Sequence, residues 1–223
     1  MIQSAIATTR ASESILASNK VLRNTYLLLS MTLFFSALCA GLAMALRLPS
    51  FGMLITFAGY FGLLFMTTQL RNSVWGLAAV FALTGFMGLT LGPLLSAYLT
   101  FFSNGSQIVT LALGGTGAVF LGLSAYALIS RKDFSFMGSF LAVGGLVAFV
   151  TCIGGLLFQI PTLSLAASAM FMVVSSGVIL WQTGDIVHGH ETNYIMATVS
   201  LYVSIYNLFV SLLHLLGVFS GED

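Results

Sequence analysis

The stretch LWQTGDIVHGHETNYIMATVSLYVSIYNLFVSLLHLLG, residues 180–217, decides the fold. It collects all three histidines of the chain, and from Tyr194 onward it carries no Asp, Glu, Lys or Arg. At 1.5 Å per residue that second half is long enough to cross a bilayer. Ser200, Ser204, Asn207, Ser211 and His214 recur at spacings of four, three, four and three, which places them on one side of a helix. A polar stripe is costly against lipid, so it should face protein or a wet cavity. The segment reads as an inner helix of a bundle.

Working outward, 58% of the 223 residues are hydrophobic and only 6% are charged. A soluble fold of this size needs far more charge to cover its surface, so the chain reads as an all-α polytopic membrane protein. Further apolar runs of spanning length occupy residues 25–46, 50–70, 74–99, 107–129, 134–158 and 163–183, and the last run covers 194–219. The expected organisation is therefore a tail over 1–24, a seven-helix transmembrane domain over 25–219 and a short tail over 220–223. Residues 1–24 mix Ser, Thr and Ala with Arg10, Glu13, Lys20 and Arg23, and read as a mobile tail or a frayed helix. They lack the apolar core of a cleaved signal peptide, so the first run should stay as an anchor.

Counting Lys and Arg in alternate connections places Arg10, Lys20, Arg23, Arg71, Arg131 and Lys132 on one side and Arg47 alone on the other. The positive-inside rule then puts the N-terminus in the cytoplasm and the C-terminus outside. A re-entrant last helix would return the C-terminus to the cytoplasm, and its polar stripe keeps that alternative open. The net charge of +1 gives no nucleic-acid footprint. Cys39 and Cys152 lie in apolar runs, where cysteine packs as a small residue rather than as a disulfide.

Glycines cluster at Gly85, Gly88 and Gly92, and Gly88 to Gly92 matches the GxxxG pattern of close helix approach. Packing within one chain is favoured over a dimer interface. Pro93 follows directly and should kink its helix.

Four chemical readings compete. The run His188-Gly189-His190-Glu191 lacks the second ligand of a His-Glu-x-x-His zinc helix, and reads as a solvated loop. Ser124 and the pair Ser175-Ser176 have no base at a linked spacing, which speaks against an intramembrane serine protease. No intramembrane position holds an Asp or Glu, which weakens a dedicated calcium channel. The stripe from Ser200 to His214 could line an ion or proton path, but such residues also join helices, and joining is favoured on residue type. No cofactor or metal is expected.

Four segments carry a family resemblance: KVLRNTYLLLS (20–30), TGFMGLTLGPLL (84–95), LALGGT with SAYALISRKDFSFMG (111–116 and 124–138), and ETNYIMATVSLYVSIYNLFVSLLHLLG (191–217). Over nearly its full length the chain resembles the Bax inhibitor-1 (transmembrane BAX inhibitor motif) family, most closely its enterobacterial YccA branch. The resemblance implies a seven-helix bundle with the last helix at the centre. It also implies a bacterial inner-membrane, non-enzymatic protein whose partners are lipids and the AAA protease FtsH, which it restrains. FtsH pulls substrates in from exposed tails, so Arg10, Glu13, Lys20 and Arg23 mark the segment it would engage. Calcium-leaking members resemble L-Y-D-T where this chain has LWQT, and carry a second Asp after L-Y-x. The two positions in this chain are Gln182 and Ser204, both neutral, so the family's acid-pair sensor does not carry over. The other function class is thus a cation leak with an altered, aspartate-free site, and a purely structural partner is a third.

Overall fold

The computed structural model describes residues 2–220, with side chains from Lys20 onward. Seven helices follow one another: α1 (Ile2–Ala45), α2 (Gly52–Leu70), α3 (Trp75–Phe101), α4 (Gly105–Ser130), α5 (Met137–Phe158), α6 (Pro161–His188) and α7 (Tyr194–Ser220). Each is long and apolar enough to cross a membrane, the stretch of α1 that qualifies being Lys20–Ala45. The first apolar run begins at Thr25, whereas the helix continues back through it to Ile2. Lys20 and Arg23 account for the difference, since charge ends an apolar run sooner than it ends a helix. Thr25 is fully buried and already inside the bundle.

The connections are short because the ends are made by defined backbone turns. Pro161 sits in the first turn of α6, where its missing N–H costs nothing. Gly189 closes the same helix at φ +75°, its N–H returning to the Asp185 and Ile186 carbonyls. Arg131 and Gln159 take the same left-handed conformation after α4 and α5, at φ +48° and +54°.

Helix α7 is the axis. It packs on α1, α3, α4 and α6, while α2 lies chiefly on α3 and α5 chiefly on α6. Half of the spanning window of α7 is buried, against 6% of that of α2, so α2 meets lipid while α7 meets protein. Its inner residues include Leu201, Tyr202, Leu208 and Leu213, all 1% exposed or less. The axis crosses the whole bundle beside α3: at one end Ile195 lies against Gly76, and at the other Gly217 lies against Tyr98. A re-entrant last helix is thereby replaced by a full span.

Glycine sets the distance between α1 and α3. A Cβ added at Gly88 would collide with the Ser36 carbonyl, one at Gly92 with Ala43, and one at Gly85 would come within 2.8 Å of Phe35. The GxxxG surface is thus consumed inside the chain. Helix α3 runs on through Pro93 without interruption. Because the obstacle at Gly88 is backbone, Gly88→Val should force the two helices apart and cost about 1–3 kcal/mol; thermal unfolding of the purified variant in detergent should show a lower midpoint than the parent.

Candidate functional site: the polar axis and its loop clasp

The polar stripe of α7 divides among several neighbours. Ser200, Ser204 and Asn207 line a cavity of about 330 Å³ bounded by α2, α5, α6 and α7, with Tyr60 and Ser175 also on its wall. Ser204 is buried and its hydroxyl donates to the Ser200 carbonyl at 2.8 Å. Ser211 is buried further along. His214 leaves the cavity altogether: its Nδ1 lies 2.7 Å from the Ser168 hydroxyl on α6. Ser168 also donates to the Ser164 carbonyl at 3.1 Å, so its single hydrogen is engaged there while the imidazole N–H can donate to its oxygen. That arrangement joins two helices. Ser124 is buried, and its Oγ has no hydrogen-bond partner among the described residues.

Gln182 is buried on α6 at 4% exposure but is not on the wall of the Ser204 cavity. Among the described residues the cavity wall therefore offers hydroxyls and one amide, and no carboxylate. Such a lining can hydrogen-bond water or a neighbouring helix, but its oxygens are neutral and lack the charge that helps hold Ca²⁺ strongly.

Tyrosines of α7, absent from the polar stripe read in the sequence, make its links to α1 and α3. Tyr202, 1% exposed, donates to the Thr84 carbonyl of α3 at 3.2 Å and receives the Ser36 hydroxyl of α1. Tyr206, one turn on, meets Thr90 at 3.3 Å. Thr198 shares its hydroxyl between the Tyr194 carbonyl at 2.7 Å and the Thr25 carbonyl at 3.3 Å. The spacing of four between Tyr202 and Tyr206 is the sequence signal for this second face, and a stripe drawn from small polar residues alone omits it.

At one end of the bundle the loops form a clasp. Asn193 precedes α7 and caps it, its Oδ1 accepting from the N–H groups of Ile195 and Met196 at 3.0 and 3.1 Å. Its amide nitrogen reaches across to the Arg71 carbonyl at 3.1 Å and to Asn72 Oδ1 at 2.9 Å, tying the α2–α3 connection to the start of the axis. Glu191 accepts from the Asn193 N–H at 2.7 Å. His188 places Nδ1 2.9 Å from the Gly184 carbonyl and Nε2 3.0 Å from the Arg131 carbonyl. A neutral ring can donate to one of these acceptors and an imidazolium to both. His190 lies 3.6 Å from Asp185. Asp133, in the α4–α5 connection, accepts the Ser135 N–H at 2.8 Å, and that bond holds its carboxyl below the ordinary range. Among the described residues no three His, Cys, Asp or Glu side chains converge on a metal geometry. Lys20 and Arg23 are exposed, whereas the side chains of Arg10 and Glu13 lie outside the described residues.

Together these features define a seven-helix membrane protein with a neutral, hydrogen-bonded axis. The family model described as "Inhibitor of apoptosis-promoting Bax1" matches residues 18–221, and the chain belongs to that Bax inhibitor-1 family. It is 50% identical over 210 residues to the Escherichia coli K12 protein named modulator of FtsH protease YccA, with 94% of each chain covered. A second Escherichia coli strain has a protein named inner membrane protein YccA at the same identity and coverage. A Pseudomonas aeruginosa protein, named only as uncharacterised, is 53% identical over 203 residues, with 91% of each chain covered.

Asn193→Ala removes a helix cap and both bonds to the α2–α3 connection. It should destabilise that end by about 1 kcal/mol or somewhat more, read as faster amide exchange at Ile195, Met196 and residues 71–73 with little change in the middle of α7.

Proposed function

We propose that this chain is a multi-pass inner-membrane modulator of the FtsH protease, acting without catalytic chemistry of its own and engaged through its N-terminal segment. The observation that carries the reading is the 50% identity, across 94% of both chains, to the protein named as that modulator in Escherichia coli. The geometry is in keeping with it. The axis is built of side chains that bond one another, and the buried Ser36–Tyr202–Thr84 relay ties three helices together. A bundle held in this way resists being drawn apart helix by helix, because each withdrawn helix would carry unpaired polar groups into lipid.

Orientation belongs to the same proposal. Lys20, Arg23, Arg71, Arg131 and Lys132 fall at the end where Thr25, Asn193 and His188 meet, and Arg47 falls at the other. The positive-inside rule makes the crowded end cytoplasmic, where residues 1–24 with Arg10, Glu13, Lys20 and Arg23 are presented to the protease. Deletion of roughly the first 20 residues should abolish inhibition of FtsH-dependent degradation of a membrane substrate while leaving insertion intact. Inhibition that persists undiminished in the deletion would sink the tail reading.

A cation leak is the second reading, favoured by the cavity that Ser200, Ser204 and Asn207 line. With Gln182 and Ser204 at the family's acidic positions, no carboxyl pair is available there to titrate. Calcium flux into liposomes holding the full chain should therefore be small and similar at acid and neutral pH; a steep rise between the two would put the leak ahead of the modulator.

A further inference from the structure

A second and larger cavity, of about 430 Å³, lies between α1 and α4 over the opposite face of the axis from the Ser204 cavity. Both helices pack on α3 and α7, while with each other they share the contact of the Tyr26 and Phe120 rings, 6.1 Å apart, rather than a continuous seam. The gap between them is walled by Ala37 and Gly41 of α1 and by Leu113 and Gly117 of α4, and floored by Tyr206 and Phe209 of α7. Ala37, Gly41 and Leu113 are exposed, which makes them the rim of a mouth that opens sideways from the bundle. A Cβ added at Gly41 or Gly117 would meet no atom within 4 Å, so at these two positions the glycines leave room that no helix of this chain uses. That contrasts with Gly88 and Gly92, which are filled by α1.

The polar atoms in this cavity are already committed. Ser36 bonds Tyr202, Tyr202 bonds the Thr84 carbonyl, Thr116 donates to the Ala112 carbonyl at 2.7 Å, and Tyr206 meets Thr90. Among the described residues no charged side chain lines it. A cavity with satisfied polar groups and apolar walls gives water too few partners to remain, and offers no counter-charge to an ion. Its size decides between the apolar occupants. A helix about 10 Å across would fill it within roughly one or two turns, where a spanning helix needs five or more. A single hydrocarbon chain is slender enough to lie within it.

We infer that the α1–α4 cleft is a binding site for one acyl chain of a bilayer phospholipid, entering from the side with its headgroup outside the cavity. Shape and apolarity select the chain, and no residue of the lining recognises a headgroup. The site is independent of the protease reading, since it rests on the cavity alone.

The test uses the full chain reconstituted in phosphatidylethanolamine and phosphatidylglycerol vesicles with a trace of phosphatidylethanolamine bearing a mid-chain diazirine. After irradiation, labelled residues are mapped by mass spectrometry. Ala37, Gly41, Leu113 and Gly117 should be labelled several-fold more than Leu54 and Phe65, which stand exposed on α2 and report ordinary lipid contact. Gly41→Leu/Gly117→Leu, which fills the cleft, should bring its labelling down to the α2 level while leaving α2 unchanged. Cleft labelling equal to that of α2 in the parent chain overturns the site, and labelling below α2 overturns it in favour of a second copy or a partner helix seated there. If the double variant does not insert, the parent comparison alone still decides.

Discussion

The hydroxyl of Tyr202 meets two neighbours at the middle of the bundle, receiving the hydrogen of Ser36 and giving its own to the Thr84 carbonyl. In water such a bond contributes little, because solvent offers an equal alternative. Within a bilayer no solvent is at hand, and the helices gain nothing from burying leucine against leucine that lipid does not already give them. Directional bonds and close packing must then decide which helix lies beside which. Tyr202 settles that for three helices at once, since Ser36 belongs to α1, Thr84 to α3 and the tyrosine to the axis.

The remaining architecture follows from keeping that relay closed. Ser36 reaches Tyr202 while α3 stays tight against α1, and Gly85, Gly88 and Gly92 supply the tightness by presenting no side chain to Phe35, Ser36 or Ala43. One turn on, Tyr206 repeats the link to α3 through Thr90, and His214 makes the corresponding link to α6 through Ser168. Helices α2 and α5 take no part in these bonds. They are accordingly the outer helices, touching each other through Phe149 against Phe57 and Phe61.

Much of this is legible in the sequence, for reasons that also mark the limit. Span positions come through because length and apolarity are local properties, and the ends of α2, α3 and α7 fall within two residues of the expected ones. The inner location of α7 comes through because a helical period sorts Ser200, Ser204 and Asn207 to one side whatever they face. What they face is not legible. Their cavity needs Tyr60 and Ser175 from other helices, and His214 leaves the group because Ser168 stands beside it. Asn193 lies in plain sight within ETNY, yet the partners of its amide nitrogen are 121 and 122 residues away, and His188 finds Arg131 across 57. Local pattern carries no information about contacts at that separation. GxxxG at Gly88 likewise reports a close approach without naming the partner, which is α1.

The glycines of α4 then show the converse of the same physics. Where Gly88 and Gly92 let two helices of the chain meet, Gly117 faces space, and so does Gly41 across the gap. A small residue lowers the distance at which something can approach, but it does not supply the approaching body. Polar bonding decides the difference: α1 is pulled onto the axis by Ser36 and by the Thr25 carbonyl, and no hydrogen bond between described residues draws α1 toward α4. Two helices held to a common axis, and meeting each other at the rings of Tyr26 and Phe120 rather than along their length, leave a slot between them. In a medium of hydrocarbon chains a slot with satisfied polar atoms and no charge costs least when one of those chains fills it.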